Sequence, residues 1–263
     1  MLRLIITAFT LFISYFSKSQ SDKYLLSKYS YAINKKDIHR TNKIDVASGF
    51  FYRYKGDLFF ITAYHAFTGK DVISGDDKNN TNIDSLWIIL DRTNGLIKKY
   101  YIPDIKSIAA NSPVFSFINK EDMYVYRIGY NFKYINSIET LNFRKKVSVI
   151  KYAISYGFPV NKVKSIYSPP IYYKGSIVKN PILLKDLKRI DSLNFILTPG
   201  NSEGASGSPV FFVCTNKGET KEWVEFAGVF IGYDPDNDYS LIVKGDYLLN
   251  KVISAYQKAH STR

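Results

Sequence analysis

Three serines lie among glycines in residues 200–210, G-N-S-E-G-A-S-G-S-P-V, directly before an apolar run. A turn of small residues lets backbone N–H groups converge on one point while a serine hydroxyl stands clear of its own strand. Hydrolases that attack a carbonyl with an oxygen nucleophile need both features, because the N–H groups stabilise the oxyanion that forms. The stretch therefore predicts a nucleophilic serine, and the candidates are Ser202, Ser206 and Ser208.

A serine nucleophile needs a base, and the chain has three histidines, His39, His65 and His260. His39 lies in a polar stretch, and His260 lies near the chain end, where order is often lost. His65 directly follows the apolar strand candidate F-F-I-T-A, which would hold it at the rim of a rigid element. The sequence therefore favours His65 as the base. A buried, hydrogen-bonded structural histidine is the alternative for this residue taken alone.

Short apolar runs separated by turn signals fill most of the chain after residue 47. About a dozen strand candidates form two groups on either side of a polar connector near 133–146, and residues 246–260 have an apolar helical face. The 22 tyrosines and 18 phenylalanines add to the strand propensity. Because no βαβ alternation or internal repeat occurs, the pattern predicts an all-β chain with two barrels or sandwiches and one terminal helix.

Residues 1–19 predict a secretory signal peptide. A positive charge precedes the apolar run at 4–16, and the small residues Ser17 and Ser19 suit cleavage before Gln20. The apolar run is too short to span a bilayer, so we expect no stable membrane anchor. The chain is therefore expected to be exported, as a secreted or periplasmic protein.

The formal net charge is +13, yet the basic residues are scattered in short clusters. Such a distribution is typical of a solvated surface, so we expect no nucleic-acid partner. The protein is expected to be a monomer. Cys214 is the only cysteine, which excludes an intrachain disulfide, and its apolar surroundings predict a buried, inert thiol. The adjacent Asp76 and Asp77 match no metal-ligand spacing, so no metal site is expected there.

Two segments resemble those around the catalytic residues of the chymotrypsin/trypsin-like serine peptidase family. T-A-Y-H-A-F at 62–67 is similar to the T-A-x-H segment around the general base, and G-A-S-G-S-P at 204–209 is similar to G-x-S-G-x-P around the nucleophile. The second segment most resembles that of bacterial exported members such as the glutamyl endopeptidases. The likeness implies two six-stranded antiparallel β-barrels with a C-terminal α-helix. The expected parts are an N-terminal arm or first edge element at 20–44, the first barrel at 45–135, and the second barrel with the helix at 136–263.

The resemblance also implies a trypsin-like serine endopeptidase that hydrolyses polypeptides through an acyl-enzyme, with no cofactor or metal. Ser206 would attack the scissile carbonyl, and His65 would accept its proton. The N–H groups of Gly204 and Ser206 would form the oxyanion hole.

The third member of the implied triad is Asp122, because it precedes the apolar strand M-Y-V-Y-R-I much as in the family's D-x-A-x-x pattern. Tyr124 departs from that pattern, since the family has a small residue there. Asp104 and Asp91 are the reserve candidates for the same role. A turn or strand-cap residue is the alternative interpretation of Asp122.

The same resemblance implies that Phe230, Ile231 and Gly232 form the pocket wall and the strand that pairs with substrate, with the pocket base near Gly200. No acid is present where a basic side chain would be held, and position 230 lacks the histidine of the glutamate-specific members. We therefore expect an apolar or small side chain in the pocket. Ala205 replaces the aspartate that receives a new amino terminus in the family's zymogens, so that activation route is not expected.

Two alternatives compete with the peptidase interpretation. Residues 200–204 also read G-x-S-x-G, the nucleophile elbow of α/β-hydrolases, which would make Ser202 the nucleophile of an esterase. That elbow requires a helix after the turn, whereas this sequence predicts a strand beginning at Pro209. The other alternative is a catalytically weak or inactive relative, in which the same scaffold serves as a binding module.

Overall fold

A computed structural model describes twelve parts of the chain. These are residues 25–37, 45–69, 83–91, 98–103, 122–128, 135–140, 149–158, 169–177, 194–198, 204–234, 236 and 238–261. The predicted signal peptide at 1–19 lies outside the described residues.

Six antiparallel strands form the first sheet. They are β1 (Tyr31–Asp37), β2 (Asp45–Tyr54), β3 (Asp57–Thr62), β4 (Ile83–Asp91), β5 (Lys98–Ile102) and β6 (Tyr124–Arg127). Their order in the sheet is β5-β4-β1-β2-β3-β6. No pairing joins β5 to β6 within the described residues, so this unit is a half-barrel there.

Strand β1 corrects the predicted boundary of the arm. Residues 31–37, predicted to belong to an arm or first edge element at 20–44, instead form an interior strand that pairs with β2 on one side and β4 on the other. Tyr31, Ala32 and Ile33 are buried in this position. The polar residues N-K-K that follow them interrupt the apolar pattern, so the sequence does not predict a strand here. The first sheet therefore begins before residue 45.

The second unit is a closed barrel, as predicted. Its strands are β7 (Val149–Gly157), β8 (Ile171–Ile177), β9 (Asn194–Thr198), β10 (Pro209–Thr215), β11 (Glu222–Asp234) and β12 (Tyr239–Lys244). They follow the order β10-β11-β12-β9-β8-β7, and β7 closes the barrel by pairing with β10. The all-β class with a terminal helix is confirmed.

Aromatic side chains join the two units in one core. Phe50 of β2 and Phe59 of β3 lie in the same buried cluster as Phe211 of β10 and Phe226 of β11. The rings of Phe50 and Phe226 are 5.4 Å apart in a tilted arrangement. Large apolar rings removed from water stabilise such a junction strongly, so the two units are held in one fixed relation.

The terminal helix strengthens this junction. It spans Gly245–Ser261 and is called α2 here, and a short helix at Tyr64–Thr68 is α1. From α2, the ring of Tyr256 packs edge-on against Tyr54 of β2 at 5.2 Å and stacks on His260 at 4.1 Å. The helix that ends the barrel therefore rests on the β2–β3 hairpin of the first sheet.

Candidate active site

His65 and Asp122 are in direct contact. His65 Nδ1 is hydrogen-bonded to Asp122 Oδ2, and the backbone N–H of His65 donates to Asp122 Oδ1 at 2.9 Å. Both side chains are largely buried, with 16% of His65 and 6% of Asp122 exposed. Because both carboxylate oxygens are engaged by one residue, the imidazole ring and the carboxylate are fixed relative to each other.

The pairing of β3 with β6 explains this contact. Thr62 lies opposite Tyr124 in an antiparallel register, so Asp122 lies opposite Tyr64. The backbone N–H of Tyr64 donates to the Asp122 carbonyl at 3.2 Å, which extends the ladder by one step. His65 follows in the first turn of α1, beside the carboxylate.

Two further contacts fix α1. Gly69, with a φ of 76°, ends the helix and donates its N–H to the His65 carbonyl at 2.9 Å. Phe67 of the helix stacks on Tyr124 of β6, with ring centroids 3.8 Å apart. Tyr124 therefore replaces the small residue of the family pattern by filling the space between α1 and β6, and burial raises its pKa far above the ordinary value for tyrosine.

The hydroxyl of Tyr64 also stays neutral beside the His65–Asp122 pair. Burial is the main cause of the raised pKa of Tyr64, the negative charge of Asp122 adds to it, and a hydrogen bond with Thr68 acts in the opposite direction. A neutral neighbour adds no second negative charge near the Asp122 carboxylate.

Residues 204–208 form the turn that carries Ser206. Gly204 and Gly207 have φ values of 85° and 89°, which glycine adopts without steric cost. The N–H of Ser208 donates to the Ala205 carbonyl at 2.9 Å, and the Ser208 hydroxyl donates to the same oxygen. The Ala205 carbonyl and the Ser206 N–H belong to the same trans peptide, so they point in opposite directions. The N–H of Ser206 is therefore directed to the side of the turn away from Ser208.

The N–H groups predicted to form the oxyanion hole have no other role in the described structure. Within the described residues, no hydrogen-bond acceptor is assigned to the N–H of Gly204 or of Ser206. Ser206 itself is 8% exposed, which leaves its surroundings largely free of bulk water. Two N–H groups without an acceptor among the described residues, beside a shielded hydroxyl, suit stabilisation of a developing oxyanion.

The Ser206 turn docks on the first sheet next to the segment that carries His65. The N–H of Ser48 in β2 donates to the Ser206 carbonyl at 3.0 Å. Gly207 approaches so closely that a Cβ there would lie 2.1 Å from the Ser48 carbonyl oxygen and 2.9 Å from the backbone nitrogen of Ala63. Since Ala63 is two residues before His65, the fold brings the serine and histidine segments together.

A hydrogen bond between Ser206 and His65 is not present among the described residues, although His65 and Asp122 are bonded. Hydrogen bonds between nucleophile and base are often long in proteins without a ligand and shorten when substrate binds. The structure thus forms the His65–Asp122 pair and places the Ser206 turn beside it.

We expect Gly207→Ala to disrupt the Ser206 turn, because the new methyl group would collide with backbone atoms that cannot rotate away. Gly218→Ala is the matched control, since Gly218 also has a positive φ, 84°, but has open space around the Cβ position. The control should lose about 1–2 kcal/mol of unfolding free energy from backbone strain alone. Gly207→Ala should lose clearly more in urea-induced unfolding, and an equal loss in the two variants would contradict the close docking.

Phe230 does not match its predicted role in pairing with substrate. Its N–H donates to the Ser208 carbonyl at 3.0 Å, and its carbonyl accepts from the N–H of Gly207 at 2.7 Å. Its side chain is buried in the barrel. Since the main-chain groups of Phe230 are already hydrogen-bonded to the Ser206 turn, a substrate strand cannot bind to them.

The neighbours of Phe230 remain suited to substrate pairing. Ile231 lies at a register shift between the pairs Phe230–Ile242 and Gly232–Leu241, and its side chain is buried. Gly232 borders open space. Beyond Phe230, β11 pairs only with β12 in the described residues, which leaves its other edge open to an extended chain.

Several other predicted residues can be placed only in part. Gly200, Ser202 and Asp104 lie outside the described residues. Asp91 pairs with Lys98 at the β4–β5 edge, and β4 is separated from β3 by β1 and β2. Of the two reserve candidates for the third triad position, Asp91 is therefore excluded by its place in the sheet.

Ser48 and Thr62 support the site but were not found from the sequence. The Thr62 hydroxyl donates to the Ser48 carbonyl at 2.7 Å, next to the docked turn. The only available signal was the pair Ser48-Gly49 before an aromatic strand, which does not indicate any chemistry by itself.

In the described parts of the chain, no group of three or more His, Cys, Asp or Glu side chains is arranged to hold a metal ion. Among the described helices, none has the length and apolar character needed to cross a membrane.

No family model matches the chain, and no curated protein matches its sequence. Among solved structures, it is similar to a scabies mite inactivated protease paralogue, with 12% identity and a TM-score of 0.50 over 90% of this chain and 95% of that one. It is also similar to a Glu endopeptidase, with 12% identity and a TM-score of 0.48 over 86% and 90% of the two chains. A catalytically active tobacco etch virus protease gives 12% identity and a TM-score of 0.45 over 83% and 73%.

The likeness to the scabies mite protein shows that the chain has the fold of the chymotrypsin-like proteases. The fold implied by the sequence resemblance is thereby confirmed. At 12% identity the likeness defines the fold alone, so the chemistry must be argued from the site.

Proposed function

We propose that this protein is a serine endopeptidase. The observation that carries the proposal is the double hydrogen bond between His65 and Asp122, formed beside the docked turn of Ser206. A carboxylate bonded to Nδ1 keeps the proton on that nitrogen, so Nε2 is left as the proton acceptor. A buried structural histidine has no need of a neighbouring serine turn whose Gly204 and Ser206 N–H groups have no acceptor among the described residues.

In the proposed reaction, Ser206 Oγ attacks the carbonyl carbon of a peptide bond while His65 Nε2 accepts the hydroxyl proton. The N–H groups of Gly204 and Ser206 bind the oxyanion of the tetrahedral intermediate. His65 then returns the proton to the leaving amine, and an acyl group remains on Ser206. Water, deprotonated by the same histidine, hydrolyses this acyl-enzyme and restores the serine.

The proposed substrate is an extended polypeptide that adds a strand to the edge of β11 near Ile231 and Gly232 that is unpaired within the described residues. Such pairing uses main-chain hydrogen bonds, so it would accept many substrate sequences. The pocket would select the side chain before the cleaved bond. Position 230 holds phenylalanine instead of the histidine of the glutamate-specific members, which supports the expectation that an apolar or small side chain is accepted. The apolar segment at 4–16 supports export as part of the same proposal.

A second candidate is a binding module with the same fold and no catalysis. It is favoured by the lack of a Ser206–His65 hydrogen bond in the described residues and by the likeness to a protein described as an inactivated protease paralogue. The esterase alternative at Ser202 has less support, because strand β10 rather than a helix follows the turn.

Cleavage of a mixed peptide library, followed by mass spectrometry, tests the proposal. We expect internal peptide bonds to be cut with a preference at one side-chain position. His65→Ala should lower the cleavage rate by more than about a thousandfold, whereas His260→Ala, at the far end of α2, should retain it within about twofold. Absence of cleavage by the wild-type protein, with peptides retained on it, would favour the binding module.

A further inference from the structure

Ser48 lies where the Ser206 turn replaces a strand. In the β2–β3 ladder, Gly49 pairs with Thr62, the last residue of β3, so no backbone group of β3 pairs with Ser48. The turn takes that place, because the N–H of Ser48 donates to the Ser206 carbonyl at 3.0 Å. The Ser48 carbonyl accepts the Thr62 hydroxyl at 2.7 Å, so both backbone groups on this side are bonded.

The hydroxyl of Ser48 connects three elements. It donates to the Gly204 carbonyl at 3.1 Å and accepts the N–H of Phe158, just after β7, at 2.9 Å. Ser48 is fully buried, so no water competes for these bonds. One side chain therefore links the first sheet, the barrel and the residue that supplies one proposed oxyanion donor.

Together with Ser208, Ser48 fixes three consecutive peptides of the turn. The carbonyls of Gly204 and Ser206 bond to Ser48, and the carbonyl of Ala205 between them bonds to Ser208. Because a peptide is planar, fixing these carbonyls also fixes the N–H groups of Ala205, Ser206 and Gly207, and that of Ser206 is a proposed oxyanion donor. Gly204 is the weak point, since glycine at a φ of 85° can change its backbone conformation easily.

We infer that Ser48 is a positioning residue, whose hydroxyl holds the Gly204 peptide so that the Ser206 turn keeps the conformation that binds an oxyanion. This inference rests on the proposed function for its effect on catalysis, but the rigidity of the turn can be measured independently. Loss of the hydroxyl leaves the backbone of Ser48 in place and releases only the bonds to Gly204 and Phe158.

Amide hydrogen exchange of segment 204–208 and the kinetics of phosphonylation by a fluorophosphonate probe test this role in Ser48→Ala. Exchange in the segment should become roughly tenfold faster, since one buried hydrogen bond no longer opposes opening. The phosphonylation rate at saturating probe should fall roughly tenfold, while the probe concentration for half-maximal rate should change less than about twofold. Ser48→Cys, with a weaker donor of similar shape, should lie between wild type and Ser48→Ala in both measurements.

Thr215→Val is the matched control, because Thr215 is also buried and its hydroxyl donates to the Glu219 carbonyl at 2.8 Å, at the other end of β10. This variant should leave the exchange of 204–208 and the phosphonylation rate unchanged. Wild-type exchange in both Ser48 variants, or an equal increase in Thr215→Val, would overturn the inference. A wild-type protein that resists the probe would refute the proposed peptidase function, and the exchange data would still decide the role of Ser48.

Discussion

Ser206→Ala is expected to abolish covalent labelling by a fluorophosphonate probe and to lower peptide cleavage by more than about a thousandfold. In the labelling reaction, Ser206 Oγ forms a bond to phosphorus, the phosphorus–fluorine bond breaks, fluoride leaves, and the hydroxyl proton passes to His65. The methyl group of alanine cannot carry out this step. Since Ser206 is a small buried residue, its replacement should leave the thermal unfolding temperature almost unchanged.

Ser202→Ala is the control that separates the two nucleophile hypotheses. Ser202 and Ser206 lie within one glycine-containing segment, so the two substitutions are chemically identical and four residues apart. We expect Ser202→Ala to be labelled and to cleave peptides like the wild type. Loss of labelling in Ser202→Ala, together with normal labelling of Ser206→Ala, would instead establish the esterase elbow.

Asp122→Asn is expected to reduce kcat by about 10³–10⁴-fold at neutral pH. The carboxylate accepts hydrogen bonds from His65 Nδ1 and from the His65 backbone, whereas an amide can accept only through its oxygen. The amide NH₂ group would then face a ring nitrogen and favour the tautomer with its proton on Nε2. That tautomer cannot accept the proton of Ser206, although the shape of the site is retained.

Asp57→Asn is the matched control for this substitution. Asp57 lies on β3 of the same sheet, is similarly shielded, and accepts a hydrogen bond from Arg127 Nε at 2.7 Å. Its replacement should lower the free energy of unfolding without changing kcat by more than about twofold. Equal losses of kcat in the two variants would mean that Asp122 acts through stability, and no loss in Asp122→Asn would remove it from the proposed triad.

The sequence predicted the parts of the fold that depend on local pattern. Strands such as β3 and β10 are apolar runs bounded by turn residues, and α2 shows one apolar face, so their types followed from periodicity. The position of Asp122 before an apolar strand indicates it in the sequence, and the β3–β6 register places it opposite Tyr64 in the structure. For Asp122, the local sequence pattern and the pairing of β3 with β6 therefore lead to the same position beside His65.

Features that depend on packing between distant segments could not be predicted in this way. Strand β1 is half polar in sequence and becomes a central strand only through its two neighbours. The main chain of Phe230 is occupied because the Ser206 turn lies against β11, which no spacing in the sequence reveals. Ser48 is similar, since its importance comes from bonds to residues more than 100 positions away.

The most direct test of a serine nucleophile activated by His65 and Asp122 is to locate the adduct after treatment with a fluorophosphonate probe. The labelled protein would be digested, and the modified residue identified by tandem mass spectrometry in the wild type and in His65→Ala. The account predicts one adduct, on Ser206, that forms in the wild type and is lost in His65→Ala. An adduct on another residue, labelling of Ser206 that persists without His65, or no adduct on the folded wild-type protein would contradict it.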